Sequence, residues 1–134
     1  MTSLIAIEGI GAAYARKLKG AGIRSIEALL KKGASAKGRE EIVKLTGISH
    51  AQILRWVNHA DLFRIKGVAG EYSELLEASG VDSIPELAQR KPDHLFAKMI
   101  KVNQAKRLVR KTPAQSQVRR WVSQANRISK VVTH

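Results

Sequence analysis

The chain has 134 residues, enough for one hydrophobic core and few for two comfortable domains. Its 24 Lys and Arg against 11 Asp and Glu give a formal charge of +13, which points to polyanionic partners rather than to a fold. With no cysteine, disulfides and thiolate metal sites are excluded.

Apolar residues recur at helical spacing almost throughout, as at Ile53, Trp56, Val57 and Ala60, so an all-α fold is expected. Helices are predicted near 12–20, 26–32, 39–46, 50–62, 70–79, 84–90, 93–101, 103–111 and 113–130. Ser49 and Ser83 read as N-caps with Gln52 and Glu86 three residues on, and Pro113 as a first helical residue. Gly22, Gly33, Gly47 and Gly80 read as left-handed stops. Only 33–38, GASAKG, has the composition of a flexible loop.

The chain repeats itself. Residues 7–29 align with 65–87 at a spacing of 58, with eight identities that include Gly9/Gly67, Tyr14/Tyr72, Gly22/Gly80 and Ser25/Ser83. QILRWVNHA at 52–60 returns as QVRRWVSQA at 117–125, now 65 apart, so the second copy holds seven extra residues between its halves. A repeat of this length is one supersecondary unit, and two fused copies, about 4–62 and 63–130, are expected to form a single domain over 1–134.

The sharpest motif is Gly9-Ile10-Gly11 before the helix that begins at Ala12 and Ala13. Its pattern, Ile-x-Gly-Ile-Gly-x-x-x-Ala-x-x-Leu, resembles the helix-hairpin-helix motif of DNA-binding proteins that do not read sequence. The glycines permit a sharp turn, Ile10 pins it to the core, and the free N–H groups of the following helix present partial positive charge to a phosphate. Arg16, Lys17 and Lys19 add charge one to two turns on. The second copy departs from the pattern: Ala69 replaces the second glycine, and Glu71, Glu74 and Glu77 stand where the first copy has Ala13, Arg16 and Lys19. Hairpin one is therefore the expected contact, and hairpin two is structural or faces a protein.

From 88 to 134 there are twelve Lys and Arg and one acid, Asp93. Lys98, Lys101, Lys106, Arg107, Arg110, Lys111, Arg119, Arg120 and Arg127 form a basic C-terminal surface expected to touch nucleic acid. Trp56 and Trp121 occupy equivalent positions at helical spacing and read as core anchors rather than base-stacking groups, as do Tyr14 and Tyr72 with less force. Hairpin one has only about six residues ahead of its turn. The helix at 113–130 is therefore expected to fold back beside it, which would bring Arg119, Arg120 and Arg127 to the Gly9–Gly11 turn.

Over residues 4 to 128 the chain resembles the family termed domain of unknown function 4332. The resemblance rests on Gly9-Ile10-Gly11, Leu18 with Gly22-Ile23, Trp56 through Leu62, Leu75-Leu76 with Gly80-Val81, and Trp121-Val122 with Ala125. It implies two pseudo-symmetric helix-hairpin-helix repeats and supplies no activity.

Catalysis is not expected. His50, His59, His94 and His134 lack metal-binding spacing, His59 and Asp61 are expected on different faces of one helix, and Asp82 stands in acidic company. No phosphate loop, nucleophile elbow or zinc-protease motif occurs, and no cofactor is implied. No apolar run reaches the roughly 20 residues of a membrane span. The N-terminal MTSLIAIEGIG lacks a basic stretch, so a cytoplasmic location is expected. The reading is sequence-independent nucleic-acid binding, duplex DNA ahead of structured RNA. The alternative is an adaptor or accessory subunit that docks a protein on the Glu71, Glu74 and Glu77 face.

Overall fold

Eight α-helices and one short 3-10 turn carry the fold in the computed structural model, which describes residues 1–134 and contains no strand. They divide into two compact units, Met1–Asp61 with Lys130–His134, and Leu62–Ser129. No helix is long and apolar enough to cross a membrane.

The first unit runs from a 3-10 turn at Leu4–Ala6 through α1 (Ala12–Gly20), α2 (Ile26–Gly33) and α3 (Ala36–Thr46) into α4 (His50–Leu62). Ser25 caps α2, its hydroxyl accepting from the Ala28 amide at 3.0 Å, and Ser35 caps α3 by accepting from Gly38 N at 3.0 Å. GASAKG is thus a helix junction rather than a flexible loop. Gly33 is no left-handed stop but the buried last residue of α2, where an added Cβ would lie 2.4 Å from Val57 Cγ2 of α4. The other three stops do have positive φ: Gly22 at 86°, Gly47 at 72° and Gly80 at 95°. Leu4, Ile7, Ile10, Leu18, Leu29, Ile42, Ile53 and Trp56 make the core, each at most 3% exposed.

The unit is completed by the last five residues. Val132 is buried, Thr133 N donates to Ala34 O at 2.8 Å, and a ring nitrogen of His134 lies 2.7 Å from Asn58 Oδ1. Arg39, only 6% exposed, fastens this strap: Nη2 donates to Thr133 O at 2.7 Å and Nη1 to Gly33 O at 2.8 Å and Ala34 O at 3.2 Å.

The second unit contains α5 (Gly70–Ala78), α6 (Ile84–Gln89), α7 (Pro92–Lys106) and α8 (Gln115–Arg127), with α8 packed on α6 and α7. Ser83 caps α6 more loosely than Ser25 caps α2, its hydroxyl 3.4 Å from Glu86 N. The two helices expected at 93–101 and 103–111 are one, α7, which stops at Lys106. Arg107 then turns left-handed at φ 51°, and its amide donates back to Asn103 O at 2.8 Å. Pro113 lies ahead of α8 rather than in its first turn: the N-cap is Ala114, whose amide donates to Gln117 Oε1 at 2.8 Å.

The expectation that α8 folds beside hairpin one is overturned. Val118, Trp121, Val122 and Ala125 are buried in one cluster with Ile65, Val68, Leu75, Leu76, Leu87 and Leu95 of their own unit. Gln124 Oε1 accepts from Lys66 N at 2.9 Å, and Trp121 Nε1 lies 3.2 Å from where a Cβ on Gly67 would sit. The Gly9 turn has an anchor of its own in α4, with Trp56 Nε1 3.5 Å from the equivalent position on Gly9. In each unit its last long helix, α4 or α8, brings a tryptophan under the glycine turn of that unit.

Candidate nucleic-acid interface

The turn before α1 is built by backbone. Ile7 N donates to Leu4 O and Ile10 N to Ile7 O, both at 3.1 Å, and Gly9 between them sits at φ 96°, a conformation that side chains resist. Ile10 is 3% exposed and holds the turn to the core, as expected. Gly11 behaves differently. It is the N-cap of α1 at φ −86°, ψ −175°, which any residue adopts, and an added Cβ would meet nothing within 4 Å. Of the two glycines only Gly9 is required by the turn; Gly11 leaves open space in front of a helix start.

That helix start carries no acidic residue in its first turn and no side-chain cap. The first-turn amides therefore face solvent with the positive end of the helix dipole behind them. Gly9, Gly11, Ala12, Ala13, Arg16, Lys17 and Lys19 are all exposed. Lys17 Nζ stands 5.8 Å from the centre of the Tyr14 ring, which packs edge-on to Trp56 at 5.1 Å, and the Tyr14 hydroxyl accepts from Gln52 Nε2 at 3.1 Å. The indoles are both 1% exposed, which fits anchoring and removes them from base stacking. One cation escaped the sequence reading. Arg55 of α4 brings Nη1 to 3.0 Å from the Cβ position on Gly9, beneath the turn. No pattern in the sequence marked it, since Arg120 stands in the same place beside Trp121 and an added Cβ on Gly67 would meet only the indole.

The second turn repeats the backbone closely. Ile65 N donates to Leu62 O and Val68 N to Ile65 O, both at 3.0 Å, with Gly67 at φ 92° and Ala69 as N-cap at φ −127°, ψ −172°. Tyr72 lies 5.4 Å from Trp121. The chemistry differs: Glu71 occupies the first turn of α5, and a methyl stands where Gly11 leaves space. Glu71 is exposed, whereas Glu74 and Glu77 are half-buried and engaged by neighbouring groups.

The remaining candidate cations lie on the second unit and are all exposed. Lys98, Lys101 and Lys106 are on α7, Arg107, Arg110 and Lys111 on the connection 107–114, and Arg119, Arg120 and Arg127 on α8. Arg119 Nη2 is paired with Asp93 Oδ1 at 3.3 Å, so the lone acid of this stretch neutralises one of them. His59 and Asp61, expected on different faces of α4, are both buried. An open cleft of about 500 Å³ is lined by Lys31, Lys32, Lys37 and Glu41 among others, and there the Lys32 ammonium pairs with Glu41 and holds that carboxyl below its ordinary range.

These features define an all-helical, strongly basic protein of two units, the first of which offers, after a glycine turn that carries the exposed Glu8, a helix start with no side-chain cap and no acid in its first turn. Residues 8–128 match the family model described as domain of unknown function (DUF4332), and the chain belongs to that family. No curated protein and no solved structure matches it.

Proposed function

We propose that the protein binds duplex DNA through its phosphate backbone, without reading sequence. In this reading the Gly9 turn is the hairpin of a helix-hairpin-helix motif, the Gly67 turn is its pseudo-symmetric counterpart, and a phosphate oxygen sits on the first-turn amides of α1. The observation that carries the reading is the open N-terminus at Gly11, with no acid in the first turn of α1 and Arg16, Lys17 and Lys19 exposed along the same helix. A helix start of this kind is an anion site by its own electrostatics. A net charge of +13 supplies the long-range attraction. Contacts to phosphate position a protein and carry no base information, and neither buried indole is available to add any.

The test is fluorescence anisotropy of a random-sequence DNA duplex across a salt series, with a structured RNA as the comparison. Logarithmic affinity should fall with logarithmic salt by about 0.9 for each phosphate neutralised. Binding that is weak and insensitive to salt refutes the proposal. It would return attention to the adaptor reading, for which Glu71 is the exposed member of the Glu71, Glu74 and Glu77 face.

A further inference from the structure

We infer that the second unit meets the duplex phosphates with the connection 107–114 and not with its glycine turn, a division of labour between the repeats that rests on the phosphate-binding reading above.

The seven extra residues of the second copy are the starting point. They appear as a longer helix and a longer connection, less two residues by which α6 is shorter than α2: α7 has 15 residues where α3 has 11, and 107–114 replaces 47–49. This expansion brings Lys106, Arg107, Arg110 and Lys111 within six positions, every one exposed, with no carboxylate between Asp93 and residue 134. Their side chains make no ion pair, in contrast to Arg119 on Asp93.

The connection is built rather than slack. The Asn103 side chain brackets Val109, its Nδ2 donating to Val109 O and its Oδ1 accepting from Val109 N, both at 3.0 Å. Val109 and Pro113 are buried. Between them the Tyr72 hydroxyl donates to Lys111 O at 2.9 Å. Arg107 holds a left-handed φ of 51°, which a non-glycine residue keeps only where its surroundings enforce it. Cations fixed before binding lose less conformational freedom on contact than cations on a flexible tail.

The location matters as much as the rigidity. Tyr72 lies in the first turn of α5, at the position Tyr14 holds in α1. The bond from its hydroxyl to Lys111 therefore seats the basic connection against the very helix whose start is spoiled for phosphate by Glu71 and the Ala69 methyl. In the first unit the corresponding hydroxyl meets only the Gln52 side chain. Where the second turn offers no open, acid-free helix start, the longer connection places charge beside it.

The experiment uses the full chain and the same duplex salt series. Arg110→Ala with Lys111→Ala alters exposed side chains alone. It should lower the salt slope by about 1.8 and weaken binding roughly thirtyfold at 0.15 M salt, taking 1 M as reference. Asn103→Ala removes no charge. It should weaken binding several-fold in the wild-type chain and add nothing in the Arg110→Ala, Lys111→Ala background, because its role is to hold those two groups in place. An unchanged slope for the double variant overturns the inference, as does a full additional loss from Asn103→Ala in that background. If Gly11→Asp weakens binding while the double variant does not, the hairpin reading stands and this one falls. The reverse pattern keeps the connection and removes the hairpin, and a wild-type chain without salt-dependent binding removes both.

Discussion

Gly11→Asp separates folding from binding at one residue. The backbone there suits any side chain, and a Cβ meets nothing within 4 Å, so the substitution introduces no strain. Aspartate is a better N-cap than glycine by a few tenths of a kcal/mol, and its charge is favourable at the dipole's positive end, so the first unit should gain about 0.5 kcal/mol. Binding should move the other way. The carboxylate takes the amides that a phosphate needs, forfeiting about 1.5–3 kcal/mol of charge-assisted hydrogen bonding. It also repels the phosphate by about 1 kcal/mol at 4 Å in water, and by more where water is excluded. A sum near 3 kcal/mol corresponds to a loss of about a hundredfold in affinity. Anisotropy titration at fixed salt measures this, with thermal unfolding as the folding check. Ala69→Asp is the internal control, since it makes the same charge change at the equivalent N-cap of α5, and should cost no more than threefold. Equal effects of the two substitutions, or a stable Gly11→Asp that binds like wild type, would refute a phosphate seat on α1.

Gly9→Ala should destabilise the first unit by about 1–2 kcal/mol in denaturant unfolding, because its φ of 96° excludes side chains and the new Cβ would press on Arg55 Nη1 at 3.0 Å. Arg39→Leu should leave the Gly33 and Thr133 carbonyls without the guanidinium donor, Ala34 O keeping the Thr133 amide, at about 1–3 kcal/mol, and hydrogen exchange at the Thr133 amide should quicken far more than at the α8 amides. The Glu27 carboxylate accepts from Thr2 N at 2.7 Å and from the Thr2 hydroxyl at 3.0 Å, and the backbone bond foremost holds its pKa below the ordinary 4.5. A depressed carboxyl pKa contributes stability that is present above the unfolded value and lost as pH falls through the folded one. The Thr2 amide resonance should therefore shift with a midpoint below 4.5; a midpoint at or above it would contradict the contact.

The parts of this architecture that were legible in the sequence are those governed by local chemistry. Ser49 and Ser83 were readable as caps from the Gln and Glu three residues on, and each hydroxyl accepts from that amide, Gln52 N at 3.2 Å and Glu86 N at 3.4 Å. Trp56 and Trp121 were readable as anchors because both recur in one context at helical spacing. What escaped depends on partners distant in sequence. Whether α8 serves its own hairpin or the other cannot be read from pattern, since both placements bury the same apolar stripe; side-chain fit beneath Gly67 decides it. The stretch after Lys106 has helical residues up to Lys111, yet Val109 gains burial and two bonds from Asn103 by leaving the helix, and that gain is tertiary. Nothing in the stretch around Arg39 marks it for burial; the returning strap and the Gly33 carbonyl of α2 explain it. The candidate interface divides in the same way. Its charges were visible in the composition, and the geometry that makes Gly11 an open seat and the connection 107–114 a rigid one was not.

The strap also bears on how the chain acquires its structure during synthesis. Residues 130–134 belong to the first unit, yet they follow the whole of Leu62–Ser129. The unit written first is therefore the last to be finished. As the chain leaves the ribosome, Arg39 and the α2 carbonyls wait for Thr133 while the later unit already has every residue of its core. A cut between Ser129 and Lys130 would spare the neighbouring helices and loosen a fold that begins more than a hundred residues upstream.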